Sequence, residues 1–135
     1  MVAEDRQVLF IEGKLVQGLG QGADFTAIPW VREEFKKRLG VDPYPGTLNI
    51  KLEDAEILQR IAQLKDKPGI IIPPSQAGFC SAKCFKVTVE GISGAVVFPE
   101  VNEYPLEKFE MIFPVHMKET LGLKDGDTLK VTVET

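Results

Sequence analysis

Apolar and polar residues alternate along most of this chain with a period of two, the pattern of strands that bury one face. It is clearest at 47–52, where Leu48, Ile50 and Leu52 take one face and Thr47, Asn49 and Lys51 the other. Leu129, Val131 and Val133 repeat it within 127–134, entered through the turn Lys124-Asp125-Gly126-Asp127. Further strands are predicted over 8–16, 69–72, 79–90, 94–98 and 108–113. Alternation leaves each strand one face to bury, so Leu48, Ile50, Leu52, Leu129, Val131 and Val133 are expected to share one barrel core.

Three segments break the alternation with helical spacing. Pro29 suits a first turn, Val31, Phe35 and Leu39 recur every fourth residue, and Gly40 supplies a stop, which predicts a helix over 29–39. A second helix is predicted over 54–65, with Ile57, Leu58, Ile61 and Leu64 as its stripe. A short third begins near Pro114 and ends at Gly122. Strands and helices do not alternate as in a parallel α/β sheet, so the fold class is mainly β: a closed barrel with two or three short inserted helices. The 135 residues leave room for one domain spanning 1–135, with the polar run 1–7 expected to be disordered.

Composition narrows the chemistry. Apolar residues make up 44% and charged residues 27%, as in a globular domain, and the net charge is −4. That balance argues against a general nucleic-acid or anionic-membrane surface, and no apolar run suits a signal peptide or a membrane span. Neither nucleic acid nor membrane is an expected partner. With one histidine and two cysteines, a four-ligand zinc site is out of reach. Cys80 and Cys84 fall in one predicted strand, ~13 Å apart, which points to two reduced cysteines in a cytoplasmic protein, with a redox pair as the alternative.

Four places carry candidate chemistry. Gly18-Leu19-Gly20-Gln21-Gly22 follows the first strand, and glycines at alternate positions let backbone N–H groups close on a phosphate. The same loop also reads as a flexible hairpin turn; it matches neither a Walker loop nor a dinucleotide fingerprint. The stiff turn Asp42-Pro43-Tyr44-Pro45-Gly46 delivers Thr47 and Asn49 to one strand face, with oxygens ~6–7 Å apart, a pairing that suits nucleotide-bound Mg2+ and equally an ordinary polar face. Glu110, among Phe109, Met111 and Phe113 and after the polar loop 99–105, can accept a substrate hydroxyl or simply face water. His116 and Lys118 can meet a base or phosphate, or stand as a solvated first turn.

The run Ile11-Glu12-Gly13-Lys14-Leu15-Val16-Gln17 with its glycine loop, then Pro43-Tyr44-x-Gly46-Thr47-Leu48-Asn49-x-Lys51-Leu52, resembles the archaeal-type CTP-dependent riboflavin kinases. So do Gly94-Ala95-Val96-Val97, Glu110-x-Ile112-x-Pro114 and Leu123-Lys124-Asp125-Gly126-Asp127. The resemblance implies a six-stranded cradle-loop barrel that transfers the γ-phosphate of CTP to riboflavin, giving FMN and CDP. It implies that Gly18, Leu19, Gly20, Gln21, Gly22 and Ala23, with Val115, His116, Met117 and Lys118, hold the nucleotide. Thr47 and Asn49 would hold Mg2+, and Asn102 and Glu110 would contact the flavin, Glu110 also orienting the acceptor hydroxyl. Lys118 or Lys51 would help neutralise phosphate charge. The chain departs from the family pattern at Ala23, Val101 and Asn102.

Overall fold

The computed structural model describes residues 8–17, 26, 28–73, 81–101 and 104–135. The run 1–7, the glycine loop from Gly18 to Ala23, Cys80 and Asn102 lie outside the described residues.

The chain runs β1 (Val8–Val16), α1 (Pro29–Leu39), β2 (Leu48–Lys51), α2 (Ala55–Lys65), β3 (Ile70–Ile72), β4 (Ala82–Val89), β5 (Ile92–Pro99), β6 (Lys108–Ile112), α3 (Met117–Leu121) and β7 (Thr128–Glu134). The sheet order is β3-β4-β5-β6-β2-β1-β7, and pairing of Val87 and Thr88 on β4 with Val133 and Thr132 on β7 closes it. The result is a closed six-stranded antiparallel barrel. Strand β3 is extra: it pairs with Ala82–Cys84 on the edge of β4 that β7 occupies further along.

The six aliphatic side chains expected to share a core do so, with Leu15, Phe85, Val87, Phe98, Phe109 and Met111 among their neighbours. Full burial of each such side chain contributes roughly 1.5–3 kcal/mol. A second cluster lies outside the barrel wall, where Val31, Phe35 and Leu39 of α1 cover Cys84, Ala95, Val97 and Ile112. Strand β5 is therefore apolar on both faces, which is why Ala95-Val96-Val97-Phe98 does not alternate. Gly94 is needed beside it: a Cβ there would meet the Ile112 carbonyl oxygen at 2.2 Å.

The helix ends follow local chemistry. Pro29 opens α1 and Gly40, at φ 71°, closes it in the left-handed conformation. The Asp54 carboxylate accepts from the N–H groups of Glu56 and Ile57 and starts α2. At its other end Lys83 Nζ donates to the Lys65 carbonyl oxygen at 2.7 Å. Helix α3 starts at Met117 rather than Pro114, because its cap is His116, whose Nδ1 accepts from the Glu119 N–H. Cys84 is a free thiol with no exposed surface, and burial pushes its pKa up to about 12. Among the described residues no helix is long and apolar enough to cross a membrane.

Candidate active site

Register assembles the centre of the site. Strands β2 and β6 pair antiparallel so that Asn49 stands directly opposite Glu110, with Val16 of β1 on its other side. Period two then aims Asn49 and Glu110 to the same side, away from the core that takes Leu48, Ile50, Phe109 and Met111. This outer face is not an ordinary wet one. Asn49 is only 8% exposed, one of two buried polar residues among those described, the other being Thr26.

The polar groups there hold one another. Asn49 Nδ2 donates to Thr47 Oγ1 at 3.0 Å and to the Thr47 carbonyl oxygen at 3.3 Å. Thr47 Oγ1 lies 3.5 Å from Glu110 Oε2, at the outer limit of a hydrogen bond. The Tyr104 hydroxyl donates to Glu110 Oε1, and Lys108 Nζ stands 4.0 Å from the same oxygen. Burial first, then the hydrogen bond and charge of Glu110, raise the Tyr104 pKa above its ordinary value, so the phenol remains a donor. Lys65 and Lys108 sit over the Tyr104 ring at 5.4 and 5.5 Å from its centroid. Burial lowers the pKa of Lys65. In the next row on the same face, two residues along the strands, Lys14, Lys51 and Lys108 face one another across β1, β2 and β6, a line of positive charge beside the carboxylate.

A cleft of about 190 Å³ extends from this centre. Tyr44–Leu48 form one side, Val115–Lys118 the other, and Met111 and Phe113 lie between. The structure thus brings Thr47 and the 115–118 turn to a single opening. The Tyr44 and His116 rings meet edge to face at 5.2 Å across it. The Gly46 N–H donates to Thr26 Oγ1 at 2.9 Å, which ties the chain just beyond the glycine loop to the turn bearing Thr47.

Of the residues expected at the nucleotide, the four that are described, Val115 to Lys118, differ in what they offer. Val115 is exposed at the rim, whereas Met117 is 4% exposed and its side chain belongs to the barrel core. His116 caps α3, and Lys118 Nζ is bonded to Asp125 Oδ1 at 2.8 Å. That ion pair is half exposed on both sides, and such pairs contribute only ~0–1 kcal/mol, so a phosphate can draw the lysine away cheaply. Tyr104 is the member that spacing did not single out. It lies inside the polar loop noted for Asn102, and the signal there is a hydroxyl-bearing aromatic between Glu103 and Pro105.

The donor set suits a hard cation. With the Asn49 amide N–H2 engaged by Thr47, Oδ1 takes no hydrogen bond from the described residues, so a carbonyl oxygen and a hydroxyl oxygen stand next to a carboxylate. Such oxygens fit Mg2+. Among the described residues no group of three or more His, Cys, Asp or Glu side chains is placed to hold a metal, so phosphate and water would have to complete the shell.

Residues 15–133 match the family model CTP-dep_RFKase, described as a domain of unknown function, DUF120. The chain is also similar to proteins named riboflavin kinase. That of Archaeoglobus fulgidus is 37% identical over 135 residues, 98% of this chain and 58% of the relative. That of Methanococcoides burtonii is 41% identical over 133 residues, 97% and 59% respectively. That of Pyrobaculum arsenaticum is 39% identical over 124 residues, 90% and 59%. The chain therefore spans about three fifths of the length of these relatives. The matched span takes in the end of β1, the Thr47 turn, the Asn49–Glu110 pair and the cleft, and with barrel and sequence in agreement the chain belongs to the CTP-dep_RFKase family.

Proposed function

We propose that this chain forms one domain that transfers the γ-phosphate of CTP to riboflavin, giving FMN and CDP. The observation that carries the reading is the cross-strand cluster in which Thr47 and Asn49 oxygens adjoin the oriented carboxylate of Glu110. The family's name, which speaks of CTP, and relatives named riboflavin kinase support the same reaction.

Phosphoryl transfer asks a protein mainly for in-line positioning and charge neutralisation. Thr47 and Asn49 would hold Mg2+, which supplies positive charge to the donor phosphates. Backbone N–H groups of Gly18–Ala23 cradle those phosphates, and the Val115–Lys118 side of the cleft holds the rest of the nucleotide. Asn102 and Glu110 hold the flavin, Glu110 accepting a hydrogen bond from the reacting ribityl hydroxyl. That oxygen forms a bond to the γ-phosphorus as the bond from phosphorus to the β,γ-bridging oxygen breaks. The hydroxyl proton passes to Glu110, and CDP leaves with the bridging electrons. Lys51 and Lys108, in the adjacent row, favour the anionic product and donor over neutral competitors. A free, buried Cys84 thiol suits the reducing cytoplasm.

The test is direct. Purified protein is incubated with riboflavin, Mg2+ and each nucleoside triphosphate in turn, and FMN is sought by chromatography. FMN formed with CTP above the other donors supports the reading. Nucleotide binding without FMN would point to another acceptor alcohol or a non-catalytic barrel.

A further inference from the structure

We infer that Tyr104 is a positioning residue for the acceptor: its hydroxyl fixes the rotation of the Glu110 carboxylate, so that Oε2, the oxygen nearer Thr47, is the one presented to the incoming alcohol. The inference rests on the reading of Glu110 as the acceptor-facing carboxylate and deepens it.

A carboxylate on a strand turns easily about its last torsion, a broad and roughly two-fold rotation. Two neighbours restrict it here. Tyr104 donates to Oε1, and Thr47 approaches Oε2 at 3.5 Å. The bond from Tyr104 is charge-assisted, whereas the one from Thr47 is at its limit, so Tyr104 sets the orientation and Oε2 keeps capacity for another donor. Tyr104 is itself held. Its ring packs against the barrel core, with Lys65 and Lys108 over it. Because its pKa is raised, the hydroxyl stays protonated and does not compete as a base. Lys108 Nζ, at 4.0 Å from Oε1, adds charge on the same side and none at Oε2.

Tyr104→Phe keeps the ring and its packing and deletes only the hydroxyl. Losing a charge-assisted hydrogen bond lowers kcat/KM for riboflavin about tenfold, with the KM for CTP and the melting temperature close to wild type. The readout that a merely structural role would not move is a double-mutant cycle with Glu110→Ala. If Tyr104 acts through Glu110, adding Tyr104→Phe to Glu110→Ala costs less than twofold further. Equal losses in both backgrounds, or a rise in the CTP and riboflavin KM values together, would overturn the inference. A substrate-free measurement judges it separately from the kinase reading: the Glu110 carboxyl carbon, assigned by its disappearance in Glu110→Gln, shifts in Tyr104→Phe protein labelled with carbon-13 glutamate. An unmoved resonance also overturns it. Absence of FMN from the wild-type protein counts against the kinase alone.

Discussion

Two polar regions meet at one cleft, the first reaching it through Thr47, and they are built in opposite ways. At Thr47, Asn49 and Glu110 the partners are remote in sequence: the Thr47–Glu110 contact joins residues 63 apart. At 115–118 they are local, with His116 bonded three residues on and Lys118 seven residues on. The first cluster exists only because β2 and β6 pair in one register. The second would form in almost any fold that let α3 start. Groups held across strands gain rigidity from the whole barrel, which suits metal and acceptor geometry. Groups held by their own turn can be released singly, which suits a ligand that enters and leaves.

That contrast predicts a graded set of losses. Asn49→Leu keeps approximate size but removes the Thr47 bonds and the proposed cation ligand, so Mg2+-dependent FMN formation should fall by about two orders of magnitude or more while the barrel stays folded by circular dichroism. Full metal-dependent activity in the folded variant would break the assignment of Thr47 and Asn49. Next comes Glu110→Gln. It should weaken riboflavin binding ~10- to 150-fold, read by quenching of flavin fluorescence, and leave CTP binding nearly unchanged. Equal weakening of both ligands would mean that the two regions are one unit.

In the local region the expected cost is one of stability. His116→Ala deletes a helix cap and should cost ~1 kcal/mol in urea unfolding, largely recovered by His116→Asn, since asparagine is a good cap. If His116→Asn restores stability but not nucleotide affinity, the imidazole touches the ligand as well as capping the helix.

The last prediction concerns pH. Tyr104 and Cys84 both have pKa values raised by folding, from ordinary values of 10.0 and 9.0 respectively. The unfolded chain then loses these protons first, so it binds fewer protons than the native state and stability falls as pH rises. The loss should begin near pH 9 with Cys84 and continue above pH 10 with Tyr104. Urea midpoints from pH 8 to 11 check it, and the decline should be shallower in Tyr104→Phe. A slope identical to wild type would deny the phenol its buried state.

Much of the barrel was legible because strand burial leaves a period that composition cannot hide. Strand β1 matches its predicted bounds of 8–16, and α1 matches 29–39, where Pro29 and Gly40 mark both ends chemically. Strand β5 was predicted short, as 94–98 within Ile92–Pro99, since burial on both faces erases the alternation that marks an end. The start of α3 was set by a capping bond rather than by Pro114.

For the site, the sequence by itself determined which residue types were available: the oxygens of Thr47 and Asn49 two apart on a predicted strand, and Glu110 as a polar position among apolar ones. Only the tertiary structure decided that Asn49 is buried, that Glu110 is its cross-strand neighbour, and that Tyr104 holds the carboxylate. The physical reason is that periodicity tells which face a side chain takes, whereas register and barrel closure, set by the summed packing of all the strands, tell which side chain it meets there.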